Sequence, residues 1–263
     1  MPLIECHFRS QVLGLRTTIS VILPYPAKKA AGRGGYPTLY LLHGLTGDHT
    51  CWLRETPIER YVEPLNLAVV TCDGHRSRYT DMAIGWRYWT FLTEELPFIA
   101  RSLFPLSSAR KDNFVAGASM GGYGAFKWAL RKPEMFAAAA SLSGAFRIAS
   151  GMDPRMADPA RRREFRGIFG ALGKLRGSEH DLFAVSRRAA RKKLRLPALY
   201  QCCGTEDHLR EINLRFYAQG RKMGLPLTYE ESPGGHEWSY WDRQIQRVLE
   251  WLPLRRKSSS ANR

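Results

Sequence analysis

The feature that most restricts the fold of this 263-residue chain lies between Asn113 and Leu130. An apolar run, Asn113-Phe-Val-Ala116, leads into Gly117-Ala118-Ser119-Met120-Gly121-Gly122, and a helical pattern through Tyr123, Phe126, Trp128 and Leu130 follows at once. A strand, a sharp glycine-flanked turn and a helix in this order place one serine on a strained backbone. Its Oγ then stands at the carboxyl edge of a sheet, beside the free N–H groups of a helix start. A glycine-rich turn with an incidental serine would need neither the strand before nor the helix after.

The rest of the chain fits that unit. Strands are expected at Ile4–Arg9, Thr18–Leu23, Thr38–Leu42, Ala68–Cys72, Asn113–Ala118, Ala137–Leu142, Ala198–Cys202 and Leu227–Glu231. Helices are expected at Pro57–Leu65, Tyr88–Phe104, Met120–Arg131, Leu209–Met223 and Tyr240–Leu252. Several strand runs are almost continuously apolar, as suits a sheet covered on both faces. The alternation predicts an α/β fold with a mostly parallel sheet. The first two strands, joined by a short turn near Gly14, should form an antiparallel N-terminal hairpin at one edge.

Charge is uneven. The formal net charge is +16. Residues 1–146 carry +5, residues 147–195 carry +9, residues 196–252 carry −2, and residues 253–263 carry +4. Residues 1–252 read as one domain. Within it, 147–195 is a basic helical lid insertion, and 253–263 is a solvated, disordered tail. In the insertion, Phe165, Ile168, Phe169, Leu172 and Leu175 recur at helical spacing opposite Arg161–Arg163, Arg166, Lys174 and Arg176, although Gly167, Gly170 and Gly173 weaken a helix there. A basic side facing the pocket would favour anionic esters. The insertion could instead serve as a docking surface for anionic partners. No nucleic-acid-binding motif accompanies the charge, so no nucleic-acid partner is expected. No apolar stretch reaches membrane-spanning length and no signal-peptide pattern opens the chain, so neither membrane insertion nor secretion is expected. Five cysteines without metal-ligand spacing give no metal site and no disulfide framework. A cytoplasmic location follows as the expectation, with no cofactor.

A serine nucleophile needs a histidine base oriented by a carboxylate, in chain order serine, acid, histidine. His180 reads as part of a helix start capped from Ser178–Asp181, and His208 adjoins the acidic pair. His236, in Pro233-Gly-Gly-His236-Glu-Trp after the last strand, is the expected base. The acid comes from Gly204-Thr205-Glu206-Asp207-His208, where Asp207 is preferred and Glu206 competes. Oxyanion donors are expected from the N–H of Met120 and, through the loop Leu42-His43-Gly44-Leu45, the N–H of Leu45. His43 should pack beneath that loop.

With HGLTG, GASMGG, GTED and GGHEW in place, the chain resembles the esterase D-like carboxylesterases, and within them the bacterial tributyrin esterases, from about Val12 to Leu254. Further marks are Trp52, Tyr79-Thr-Asp81-Met, Gly85, Thr93-Glu94-Glu95-Leu-Pro97, Gly177-Ser-Glu-His-Asp-Leu182 and His236-Glu-Trp-Ser-Tyr-Trp-Asp242. The resemblance implies an α/β-hydrolase fold, a Ser119/Asp207/His236 triad, oxyanion donors at Leu45 and Met120, and hydrolysis of short acyl esters, often acetyl; an acylated sugar stands among the candidate substrates beside the anionic ester that the charge suggests. It also implies that a homo-oligomer is common. The related S-formylglutathione hydrolases carry a cysteine where Gly47 stands here. Cys51 is expected to be displaced by a turn, which argues against the glutathione-thioester reading. An acyltransferase, as in the related mycolyl transferases, and a binding protein on an inactive scaffold are the other readings.

Overall fold

The computed structural model describes residues 1–25, 34–149 and 158–254. Its centre is an eight-stranded sheet: β1 (Leu3–Arg9), β2 (Arg16–Ile22), β3 (Thr38–Leu42), β4 (Ala68–Cys72), β5 (Asn113–Ala118), β6 (Ala138–Leu142), β7 (Ala198–Gly204) and β8 (Leu227–Ser232). The spatial order is β1-β2-β4-β3-β5-β6-β7-β8. β1 and β2 form the antiparallel hairpin, closed by a turn with Gly14 at φ 70°, and β2 also runs antiparallel to β4. The pairings from β4 through β3 to β8 are parallel. This is the α/β-hydrolase architecture expected from the sequence.

β3, β4, β5 and β6 are buried along their whole length, as their unbroken apolar runs require. Helices cover both faces. On one face lie α1 (Cys51–Glu55), α2 (Ile58–Val62) and, from the end of the chain, α9 (Trp238–Trp251), packing Trp52, Ile58, Val62, Tyr240, Ile245 and Val248 against Leu39, Leu41 and Ala116. The other face carries α3 (Tyr88–Thr90), a π-helical turn Phe91–Glu95 and α4 (Leu96–Leu103), followed by α5 (Met120–Arg131), α6 (Pro159–Phe169), α7 (Leu182–Arg191) and α8 (Arg210–Lys222). The π turn aims Glu95 at the hairpin, where its carboxylate accepts from Ser10 Oγ and, at 2.7 Å, from Gln11 N.

The insertion differs from expectation. The amphipathic pattern from Phe165 to Leu175 is not one helix. α6 stops at Phe169, where Gly170 turns to φ 71°, and a short 3-10 turn, Leu172–Lys174, follows. Asp181 caps α7, accepting from Phe183 N at 3.0 Å and Ala184 N at 3.3 Å. α1 does not stand among the helices expected from the pattern, while α7 begins at the helix start expected from Ser178–Asp181. Residues 150–157 of the expected lid and 255–263 of the expected tail lie outside the described residues. No helix among the described residues is long and apolar enough to cross a membrane.

Candidate active site

Parallel strands end together, so the loops after β3, β5, β6, β7 and β8 share one edge of the sheet. Ser119 follows β5 at φ 55° and ψ −111°, a conformation that a residue with a side chain adopts only when its surroundings impose it. Here they do. Ser119 N donates to Leu142 O at 2.8 Å, and its carbonyl accepts from Tyr123 N and Ala145 N. Gly121 lets α5 pass directly under the end of β3, since a Cβ there would lie 2.2 Å from Leu42 O.

Ser119 Oγ lies 2.9 Å from His236 Nε2. On the far side of the ring, His236 Nδ1 lies 2.9 Å from Asp207 Oδ2 and 3.1 Å from Oδ1. Sequence distances of 117 and 29 residues are thereby brought to hydrogen-bond length. The His236 ring is held edge-on by Trp241, centroids 5.0 Å apart, and by His208 at 4.6 Å. The Asp207 side chain is fully buried. Burial pushes its carboxyl up, but the hydrogen bond and charge of His236, the Leu209 N–H at 2.7 Å and the Ser143 hydroxyl together hold it below the ordinary carboxylate value. It therefore stays ionised opposite the imidazole.

Glu206 does something else. Its carboxylate accepts from Gly234 N at 2.5 Å while its own N–H donates to Gly234 O at 3.2 Å. The structure thus brings Asp207 to His236 and uses Glu206 to tie down the loop that carries His236. Donor atoms of Asp207, His208 and His236 lie within 4.8 Å of one another, a spacing a metal ion could use. Asp207 and His236 are already spent on their mutual hydrogen bond.

Leu45 and Met120 flank the serine. Met120 opens α5, so its N–H has no partner within the helix, and the helix dipole adds partial positive charge there. Gly44 packs against Ser119, which brings the adjoining Leu45 to the pocket wall. That loop is fastened from below. His43 is buried; its Nε2 accepts from Gly74 N at 2.8 Å, so the proton sits on Nδ1 and is donated to Gly44 O at 2.6 Å. Burial lowers its pKa and keeps it neutral. Tyr79 OH donates to His43 O at 2.9 Å. Tyr79 is itself fixed by Lys127, whose Nζ donates to Tyr79 O at 2.8 Å and Thr80 Oγ1 at 2.7 Å, fully buried in α5.

Two supporting residues escaped the sequence reading, and a third was named without a role. Ser143, at φ 50° after β6, accepts from Trp241 Nε1 at 3.0 Å and supports Asp207. Lys127 carries no local mark within its helical run. Tyr79 entered only through the resemblance. The Ser143-Gly144 pair directly after an apolar strand was the one local signal available.

The pocket above Ser119 has a volume of about 580 Å³ and is lined by Leu45, Gly47, Cys51, Arg54, Arg78, His208, Trp238 and Trp241 among others. No described residue of 158–195 lines it. Arg54 and Arg78 line the pocket, and Arg147, at the start of the insertion, donates from Nη2 to the carbonyl of the lining residue His208 at 2.7 Å. Cys51 stands four residues beyond Gly47, at the start of α1. It reaches the loop from α1, and a Cβ on Gly47 would lie 2.7 Å from its Sγ.

A family model described as "Putative esterase" matches residues 10–252. An acetyl esterase of Caldicellulosiruptor saccharolyticus is 33% identical over 261 residues, covering 96% of this chain and 98% of its own. Two solved structures from Staphylococcus aureus are similar at 34% identity, each covering 95% of this chain and 98% of theirs. One is the fluorophosphonate-binding serine hydrolase FphF, with a TM-score of 0.87. The other is the S-formylglutathione hydrolase FrmB, with a TM-score of 0.85.

Proposed function

Since the chain belongs to the esterase family and is a carboxylic ester hydrolase, we propose that it cleaves short acyl esters, acetyl to butyryl, through an acyl-serine intermediate on Ser119. The observation that carries this reading is the unbroken hydrogen-bond path Asp207–His236–Ser119 at the floor of a pocket. His236 Nε2 takes the Oγ proton as Ser119 attacks the ester carbonyl. The oxygen of the tetrahedral adduct is held by the N–H groups of Leu45 and Met120. The adduct collapses, the C–O bond to the alcohol breaks, and His236 returns the proton to that alcohol. Water, deprotonated by His236, then attacks the acyl-Ser119 carbonyl, and the carboxylic acid leaves. Asp207 holds the imidazole in the required tautomer and stays ionised throughout.

Trp238 and Trp241 wall the pocket and pack edge-to-face, which supports a short acyl chain. A series of p-nitrophenyl esters tests this. kcat/KM is expected to peak between acetyl and butyryl and to fall at least tenfold by decanoyl; a maximum at the long end would overturn the short-chain reading.

The position of Cys51 favours one second reading, a thioesterase acting on S-formylglutathione as FrmB's name indicates for that protein. The Cys51 sulfur lies beside Gly47, the position at which the resemblance implies a cysteine in the S-formylglutathione hydrolases. A kcat/KM for S-formylglutathione above that for p-nitrophenyl acetate would select it.

A further inference from the structure

A dense cluster of the excess cations lies at the end of the sheet opposite the pocket. Arg187–Arg195 holds six Lys/Arg and no acid. α7 descends from Leu182 and ends where β7 begins, so Arg191, Lys192, Lys193 and Arg195 lie at the amino edge of the parallel sheet. α8 ends at the same edge with Arg221 and Lys222, immediately before the turn into β8. These six cations are exposed, and none forms an ion pair among the described residues. Arg110 extends the cluster through a hydrogen bond to Arg195 O at 3.4 Å, with exposed Glu134 on the turn beside it. Helix carboxyl ends favour cations, so the cluster is tolerated there without counter-ions.

The surface is not only charged. Ala190, Leu194, Leu196, Met223 and Leu225 line a shallow depression between the two helix ends. Leu194 stands 42% exposed between Lys193 and Arg195, next to a backbone turn with Lys193 at φ 50°. Cations ringing an apolar tip match an interface of acidic headgroups over acyl chains. A nucleic-acid strand would ask for exposed aromatic rings on which bases stack, and the exposed aromatic residues lie on other elements.

We propose that this face docks the protein onto an anionic phospholipid surface. The seven residues of β7 span roughly 20 Å, so docking leaves the Ser119 pocket facing away from the bilayer and open to water-soluble esters. The contact is peripheral: cations neutralise headgroups and Leu194 enters the headgroup–acyl boundary.

The test is co-sedimentation of the full chain with vesicles of phosphatidylcholine, with and without phosphatidylglycerol, at low and high salt. Binding is expected only to the phosphatidylglycerol vesicles at low salt. Lys192→Ser/Lys193→Ser/Arg195→Ser should weaken it roughly a hundredfold, about fivefold per cation, and Leu194→Ser several-fold. kcat/KM for p-nitrophenyl acetate should stay at the wild-type value in both variants, which also shows that they fold. Failure of the wild type to bind, or a triple variant that binds as well as wild type, overturns the proposal. So does tighter binding to duplex DNA that Leu194→Ser leaves unchanged.

Discussion

Two neighbouring carboxylates, Glu206 and Asp207, show how much one residue of register decides at this site. Both follow β7, both are acidic, and sequence alone leaves them in competition. The backbone turn buries Asp207 opposite His236 and sends Glu206 to Gly234 N. Asp207→Asn keeps the shape but removes the charge and the tautomer control, and should lower kcat by about 10³–10⁴ with little change in KM. Glu206→Gln retains an acceptor for Gly234 N and should change kcat less than tenfold. Steady-state kinetics on p-nitrophenyl acetate checks both, and a reversal of the two magnitudes would contradict the assignment. Ser119, Asp207 and His236 were legible because each stands directly after a strand in a glycine-marked loop. Ser143 and Lys127 were not, and Tyr79 only through the resemblance, because they act through contacts between segments far apart in the chain, which no local pattern encodes.

Among the elements, strands were read nearly to their ends because a sheet buried on both faces demands continuous apolar runs, and β3, β4 and β5 start and stop where those runs do. The insertion was harder. Its dense arginines mask the helical spacing of Leu182, Val185 and Ala189 in α7, and Gly170 breaks a pattern that otherwise looks continuous. The start of α7 also makes stability pH-dependent. His180, packed on Phe169, is pushed down to about 3 by burial, reinforced by the charges of Lys127 and Arg131. In the unfolded chain it titrates near 6.5. Between those values the unfolded state binds the extra proton, so stability is full above pH 6.5 and falls as the pH drops toward 3. The cost at pH 5 is about 1–2 kcal/mol, or several degrees in Tm. Burial of His43 acts in the same direction. His180→Phe should therefore flatten, without abolishing, the fall in Tm between pH 7 and pH 5. An unchanged slope would show that the ring is not held neutral.

For the molecule as a whole, the net charge of +16 first reads as a property of the site's surroundings. The fold separates the two. The carboxyl edge of the sheet gathers Ser119, Asp207 and His236, while the amino edge gathers the free cations of α7 and α8. Segment sums could locate the excess along the chain but not at an end of the sheet, since that depends on the direction in which α7 runs. The central claim concerns the other end: one strained serine, activated by His236, carries the acyl group. The most direct measurement is the intact mass and peptide map of the protein after a fluorophosphonate probe. The account predicts one adduct per chain, mapped to Ser119, lost in Ser119→Ala together with the burst of p-nitrophenol from p-nitrophenyl acetate. An adduct on another residue, or a burst that survives Ser119→Ala, would contradict it.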